Sequence, residues 1–377
     1  LFLPSDTEYI IETLQKNGYE AFAVGGCVRD MLNGDTPHDF DITTSAEPET
    51  VMSLFEKTVP TGIKHGTVTV IINGVPNEVT TYRTDGEYRD HRRPDSVIFV
   101  KSLREDLARR DFTVNAMAYN QKDGLKDFFS GREDIENRIL RAVGEPGRRF
   151  YEDALRIMRL FRFSSVLGFD IEENTLKAAL EYAPTLKSVS TERIYSELLK
   201  TLCGKKPAAL KPLTDIGGLG FLGVNTSPDY GILPLLGSAD TKLFAFLYSG
   251  GAEVSPALDF LKVPNKTKKA AQDMLTLLNM PFPKTKPEIK EMLYLTSPSS
   301  TENYFDYKSA YGKDCAAARD MLTEIIKNGE PYRISELKIG GRDLKKCGIS
   351  GRAIGETLEK LRSSVLKNPE LNTRSEL

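Results

Sequence analysis

From Tyr151 onward, most segments of this chain repeat their apolar residues at helical spacing, whereas alternating, strand-like runs are confined to the first third. Segregation of this kind predicts an α+β chain, with a small mixed-sheet head followed by an all-helical remainder. In the head, residues 8–16 read as an amphipathic helix stopped at Asn17-Gly18, and Ala21–Val24 as a short strand. Residues 39–43, 65–73 and 77–83 read as further strands, the last two joined at the hairpin signal Asn73-Gly74. Residues 84–95 are charged and turn-prone, and a mobile surface loop is expected there. Helical spacing then marks residues 152–166, 173–182, 191–202, 267–278, 307–327 and 354–365. Gly- and Pro-rich stretches at 215–234 and 280–286 are candidate joints.

Composition removes several classes of function. No apolar run approaches the ~20 residues of a membrane span. Nothing at the amino end reads as a signal peptide, so no membrane association and a cytoplasmic location are expected. Four scattered cysteines and three histidines, none of the latter beyond His91, offer no zinc pattern. A net charge of −2 argues against non-specific coating of nucleic acid, yet charge is unevenly placed. Residues 137–162 carry seven arginines against three acids, and residues 331–377 ten basic side chains against six acidic ones, so two local basic surfaces are expected.

The chemistry concentrates in three places. Strand Ala21–Val24 runs into Gly25-Gly26-Cys27-Val28-Arg29-Asp30, where glycines permit close backbone approach and the first helical turn with a nearby arginine favours an anion; a plain glycine turn has the same sequence. Next comes His38-Asp39-Phe40-Asp41-Ile42. As a strand it would send Asp39 and Asp41 to one face, with Phe40 and Ile42 to the core, a carboxylate pair suited to magnesium. Third, Asp153, Arg156, Arg159 and Arg162 fall three apart on one ridge of an otherwise apolar helix. Buried arginines without acids are costly, and only Glu152 and Asp153 lie close in sequence, so a ligand cleft is the economical expectation.

These motifs, with Arg109-Arg110-Asp111-Phe112-Thr113-Val114-Asn115-Ala116 and Glu152-Asp153-Ala154-Leu155-Arg156, resemble the polymerase-beta nucleotidyltransferase superfamily. The likeness is to its bacterial-type (class II) tRNA nucleotidyltransferase and poly(A) polymerase branch. Four ordered motifs lie within the first ~160 residues, and the carboxyl half matches mainly in helical character. The resemblance implies a head at 1–138, a helical neck with base recognition at 139–205, a body at 206–290 and a tRNA-binding tail at 291–377, elongated as a whole. It implies Asp39 and Asp41 as catalytic ligands of Mg2+, Gly26 and Arg29 on the nucleotide, Arg110 on its phosphates, and Asp111 and Asn115 beside the ribose. Glu78 is the candidate third carboxylate.

Asp153 and Arg156 would then read the base, with Arg159 and Arg162 also expected to bind the nucleotide. A carboxylate accepts from cytosine N4 or adenine N6, and a guanidinium donates to cytosine O2 and N3 or adenine N1. Uracil and guanine present like to like, a mismatch worth roughly 10⁴ in discrimination. The expected activity is template-independent addition of CCA to tRNA from CTP and ATP with release of pyrophosphate. The acceptor arm and 3′ end of tRNA are the expected partner, gripped by tail residues such as Lys338, Arg342, Lys345, Lys346 and Arg352, with no obligate protein partner. The loop at 84–95, intact here, is the expected device for changing from C to A. Rivals are a poly(A) polymerase, an A-adding enzyme, and an inactive RNA-binding adaptor; the last would have lost a metal carboxylate, and both remain.

Overall fold

The computed structural model describes residues 1–86 and 97–377, which form two compact units, Leu1–Phe221 and Leu222–Leu377. The division falls inside the first Gly- and Pro-rich stretch, and residues 206–221 pack with the first unit. No described helix is long and apolar enough to cross a membrane.

Among the described residues up to Asp127 there are nine strands: β1 (Ala21–Val24), β2 (Asp41–Thr44), β3 (Thr58–Gly62), β4 (Thr67–Ile72), β5 (Val75–Thr81), β6 (Arg83–Asp85), β7 (Val97–Phe99), β8 (Met117–Asn120) and β9 (Gly124–Asp127). Seven build one mixed sheet in the order β3-β4-β5-β2-β1-β8-β9. All four residues of β1 are buried, as an apolar strand covered on both faces must be. The β4–β5 hairpin turns at Asn73-Gly74 with φ of 51° and 84°, the paired positive values that this dipeptide tolerates. β6 and β7 pair antiparallel, so the expected loop begins with strand at Thr84; residues 87–95 of it lie outside the described residues.

Helices of the first unit are α1 (Ser5–Lys16), α2 (Gly26–Leu32), α3 (Pro48–Leu54), α4 (Leu103–Ala108), α5 (Gly131–Glu136), α6 (Pro146–Glu152), α7 (Leu155–Leu167), α8 (Glu173–Tyr182), α9 (Thr191–Leu202) and α10 (Lys211–Asp215). Strand signals do not end at the head: β10 (Ile139–Leu140) pairs in parallel with β11 (Asp170–Ile171) across the neck. The helix expected over 152–166 starts late, since Glu152 ends α6 and α7 begins at Leu155. Asp153 breaks it, with φ −137° and ψ 104°, because its carboxylate caps the next helix at the Leu155 N–H, 3.1 Å away.

The second unit is helical: α11 (Ala239–Ser249), α12 (Val254–Phe260), α13 (Asn265–Leu278), α14 (Lys286–Leu295), α15 (Pro298–Ala310), α16 (Ala316–Asn328), α17 (Gly341–Lys346) and α18 (Arg352–Lys367). The single helix expected at 307–327 is split at Gly312, whose φ of 80° no helix accommodates. Phe244 and Phe246 of α11, Leu277 of α13, Ile289 of α14 and Phe305 of α15 are fully buried in its core.

Candidate active site

Strand register explains how motifs far apart in sequence share one end of the sheet. β1 pairs antiparallel with β2 so that Val24 faces Asp41, and with β8 so that Val24 faces Ala118. The turn after Val24, the start of β2 and the segment before β8 therefore converge. Gly25 bridges them: its N–H donates to the Met117 carbonyl at 3.1 Å, its φ is 84°, and a Cβ there would meet Arg110 Nη1 at 3.0 Å. The positive φ favours glycine, while a Cβ would press on the end of a flexible side chain. Gly26 opens α2.

The strand begins at Asp41, so Asp39 precedes it, and Phe40 is half-buried rather than in the core; the alternation expected over 39–42 holds only for Asp41 and the buried Ile42. Even so, Asp39 and Asp41 line one cleft of about 650 Å³ with His38, Thr69, Asn77 and Glu78. Burial by the cleft walls raises the Asp41 pKa, Arg110 pulls it down and Asp39 pushes it up again. Neither carboxylate has a hydrogen-bond donor among the described residues. Two exposed carboxylates one residue apart, without protein donors among the described residues, fit a hard divalent cation, which is ordinarily held through one or two carboxylates with water and phosphate completing its shell. Glu78 lines the same cleft, but no three His, Cys, Asp or Glu side chains converge as a metal cage among the described residues. Beside the pair, Cys27 is an inert thiol, pushed up to about 11 by burial and by Asp41.

Above the glycine turn runs a chain of polar contacts. Arg29 donates through Nε and Nη2 to Asp30 Oδ1 at 2.9 and 2.7 Å and through Nη1 to Asn115 Oδ1 at 2.6 Å. Asn115 donates in turn to Asp111 Oδ1, and Asp111 Oδ2 accepts from Arg159 Nε and Nη2 at 2.8 and 2.5 Å. Burial alone would raise the Asp111 pKa; the charge and hydrogen bonds of Arg159, with Arg156 and Asn115, outweigh it and hold the carboxyl at about 2. Arg110 lies 3.5 Å from Asp106, while its buried Nε has no hydrogen-bond partner among the described residues. A buried orphan donor beside a cleft is a place for an anion.

The ridge of arginines is fully supplied with acids, which corrects the argument that only a ligand could satisfy them. Arg156 donates to Glu152 Oε2 at 2.8 Å, Arg159 pairs with Asp111, and Arg162 sits 2.5 Å from Glu197 Oε2 on α9. Asp153 and Arg156 are not paired with each other. Asp153 accepts from Arg193 Nη2 at 3.1 Å, and Arg156 also donates to the carbonyls of Arg149 and Arg109. With Arg149 on the Ala108 carbonyl at 3.0 Å, these guanidiniums cap the carboxyl end of α4, where a helix favours cations. The tertiary partners Glu197 and Arg193 left no signal in sequence, being some 40 residues from the motif. Asp106 did leave one, three and four residues ahead of Arg109 and Arg110 on a helix. Completely buried, it ties Arg109, Arg110, the Thr43 hydroxyl and the Arg83 N–H together, and Arg109 and Arg110 lower its pKa against the opposing effect of burial.

Comparison with known proteins agrees with this arrangement. Residues 21–141 match the Poly A polymerase head domain family, and residues 168–218 the family described as the probable RNA and SrmB-binding site of polymerase A. A CCA-adding enzyme of Geobacillus thermodenitrificans is 45% identical over 73% of this chain and 70% of its own length. One of Staphylococcus saprophyticus is 34% identical over 98% of this chain and 95% of its own. The crystal structure of the Bacillus stearothermophilus CCA-adding enzyme in complex with CTP superposes with a TM-score of 0.83 at 35% identity, covering 99% of this chain and 96% of that one.

Proposed function

The chain belongs to the CCA-adding enzyme family of tRNA nucleotidyltransferases, and on that premise we propose that it rebuilds the CCA end of tRNA from CTP and ATP in the cytoplasm. The observation that carries this reading is the pair Asp39 and Asp41, without a donor among the described residues, at the sheet end that also holds Gly25, Gly26 and Arg110. Catalysis is assigned to residues 1–138, base recognition to 139–205 and a tRNA grip to the tail at 291–377, where Lys338, Arg342, Lys345, Lys346 and Arg352 are all exposed.

Asp39 and Asp41 would hold Mg2+. When bound there, magnesium lowers the pKa of the attacking hydroxyl and offsets charge on the departing pyrophosphate. The protein's own contribution is placement. Arg110, with a free Nε, and the glycine turn before α2 face the triphosphate, while the chain Arg29, Asn115, Asp111 and Arg159 fixes the side on which the ribose sits. The bond formed joins the tRNA 3′ oxygen to the α-phosphorus. The bond broken releases pyrophosphate, and the hydroxyl proton leaves to water.

Base selection falls to Asp153 and Arg156, which must exchange partners to act. Asp153 would turn from Arg193 to accept from the amino group of cytosine or adenine, and Arg156 would turn part of its guanidinium from Glu152 to donate to the ring. The fork of Arg156 spans Glu152 and two carbonyls, so it can release one N–H while the others hold it in place.

The reading is tested with tRNA ending at the discriminator base, magnesium and each NTP, singly and paired, resolved at single-nucleotide steps. Two additions from CTP alone, and three followed by arrest from CTP with ATP, are expected. Long A tails from ATP alone would instead indicate a poly(A) polymerase, and bound tRNA without incorporation an adaptor.

A further inference from the structure

Three guanidiniums converge on one aromatic ring. The Cζ atoms of Arg162, Arg159 and Arg29 lie 3.9, 5.2 and 5.4 Å from the centroid of Phe163, which is 7% exposed. Each arginine has its own acid, and the acids belong to different elements: Asp30 on α2, Asp111 after α4, and Glu197 on α9. Asp111 and Glu197 each act on both Arg159 and Arg162, and Asn115 links Arg29 to Asp111; the contact made by all three cations is the ring. It also meets the ring of the fully buried Phe112, edge-on at 5.8 Å and 77°, and so is braced by the segment that carries Arg110 and Asp111.

We infer that Phe163 is a positioning residue for nucleotide binding, holding Arg29, Arg159 and Arg162 in a cluster that their mutual repulsion would otherwise open. The negative face of an aromatic ring attracts a guanidinium without consuming its N–H donors, and more strongly where water is excluded. An acid fixes a guanidinium by occupying its donors; the ring leaves those donors free to move from a carboxylate to a nucleotide. An aliphatic side chain would fill the same volume and give neither effect. The inference rests on the proposal that these arginines face the nucleotide.

The test compares Phe163→Leu and Phe163→Tyr with Arg162→Gln and the double variant Phe163→Leu/Arg162→Gln in the full chain with tRNA. Phe163→Leu is expected to raise the KM for both CTP and ATP about tenfold with kcat within about twofold, the pattern of lost binding rather than lost chemistry. Phe163→Tyr, which keeps the face, should stay within about twofold of the parent in KM. The double variant should show less than the product of the two single effects, since the ring acts through the charge that Arg162→Gln removes. An unchanged KM in Phe163→Leu, or multiplicative effects with equal losses in the Leu and Tyr variants, would make Phe163 a core residue only and overturn the inference. If Arg162→Gln and Arg159→Gln themselves leave KM and base choice unchanged, the nucleotide-facing reading of the arginines fails, an outcome separable from failure of the ring.

Discussion

The two charged ends of the first unit are built on opposite principles. At the start of β2, Asp39 and Asp41 stand together in a cleft with no donor among the described residues, and burial and mutual repulsion oppose ionisation of Asp41. Along α7, Arg156, Arg159 and Arg162 each carry a carboxylate, and Asp153 ahead of them carries Arg193. The first end is complete only when a cation arrives. The second is complete already, so a base can enter only by exchange. A site that must accept two different bases benefits from the second arrangement, because its resting contacts return each side chain to a defined position between additions.

The sharpest test of that contrast is Asp41→Asn. Activity should fall by roughly 10³ or more, the loss of several kcal/mol of charge stabilisation in the transition state. The melting temperature should hold or rise, because a repelled carboxylate has gone; a marked fall would mean that the pair stabilises the fold and would break the comparison. Glu152→Gln probes the other end. It removes the charge of the carboxylate that Arg149 and Arg156 share, both about a tenth exposed or less, and should cost about 3 kcal/mol in denaturant unfolding, together with relaxed discrimination against UTP and GTP.

Acid titration sharpens the same point. The folded pKa of Asp111, about 2, lies below the ordinary carboxylate value near 3.9. Its contribution is therefore fully present above about pH 4 and is lost as pH falls through the folded pKa. That contribution is ~2 kcal/mol by linkage. Asp111→Asn should remove this part of the acid limb from a stability-against-pH curve, with the two curves converging as pH approaches 2. The smallest effect belongs to the tail. Arg352→Glu breaks a largely exposed pair with Glu356 and should leave stability nearly unchanged, while lowering the salt slope of tRNA binding by about one phosphate contact.

Much of this site was legible along the chain. Gly25 and Gly26, and Asp39 and Asp41, were singled out by residue type and order, and the Arg109–Ala116 segment by its family resemblance; the sheet register brings them to one end. The helix expected through Asp153 failed because side-chain capping at Leu155 competes with helix continuation, and helical spacing alone does not record that competition. The economy argument for the arginine ridge failed for a related reason. It weighed acids close in sequence, and two of the three that matter, Asp111 and Glu197, arrive from other elements.

The sequence by itself determined the separation of a sheet-containing head from a helical remainder, the apolar β1, the Asn73-Gly74 hairpin and the identity of the charged motifs. These rest on local periodicity and on backbone preferences that each residue carries with it. Only the tertiary structure decided which charges are met. The pairing of Arg162 with Glu197, of Asp153 with Arg193, and the arrival of Arg29 on Phe163 depend on how α7 and the residues before it pack against α2 and α9. Coulombic and ring contacts act over a few ångströms in space and are indifferent to separation along the chain, so the packing of helices, and no local pattern, selects the partners.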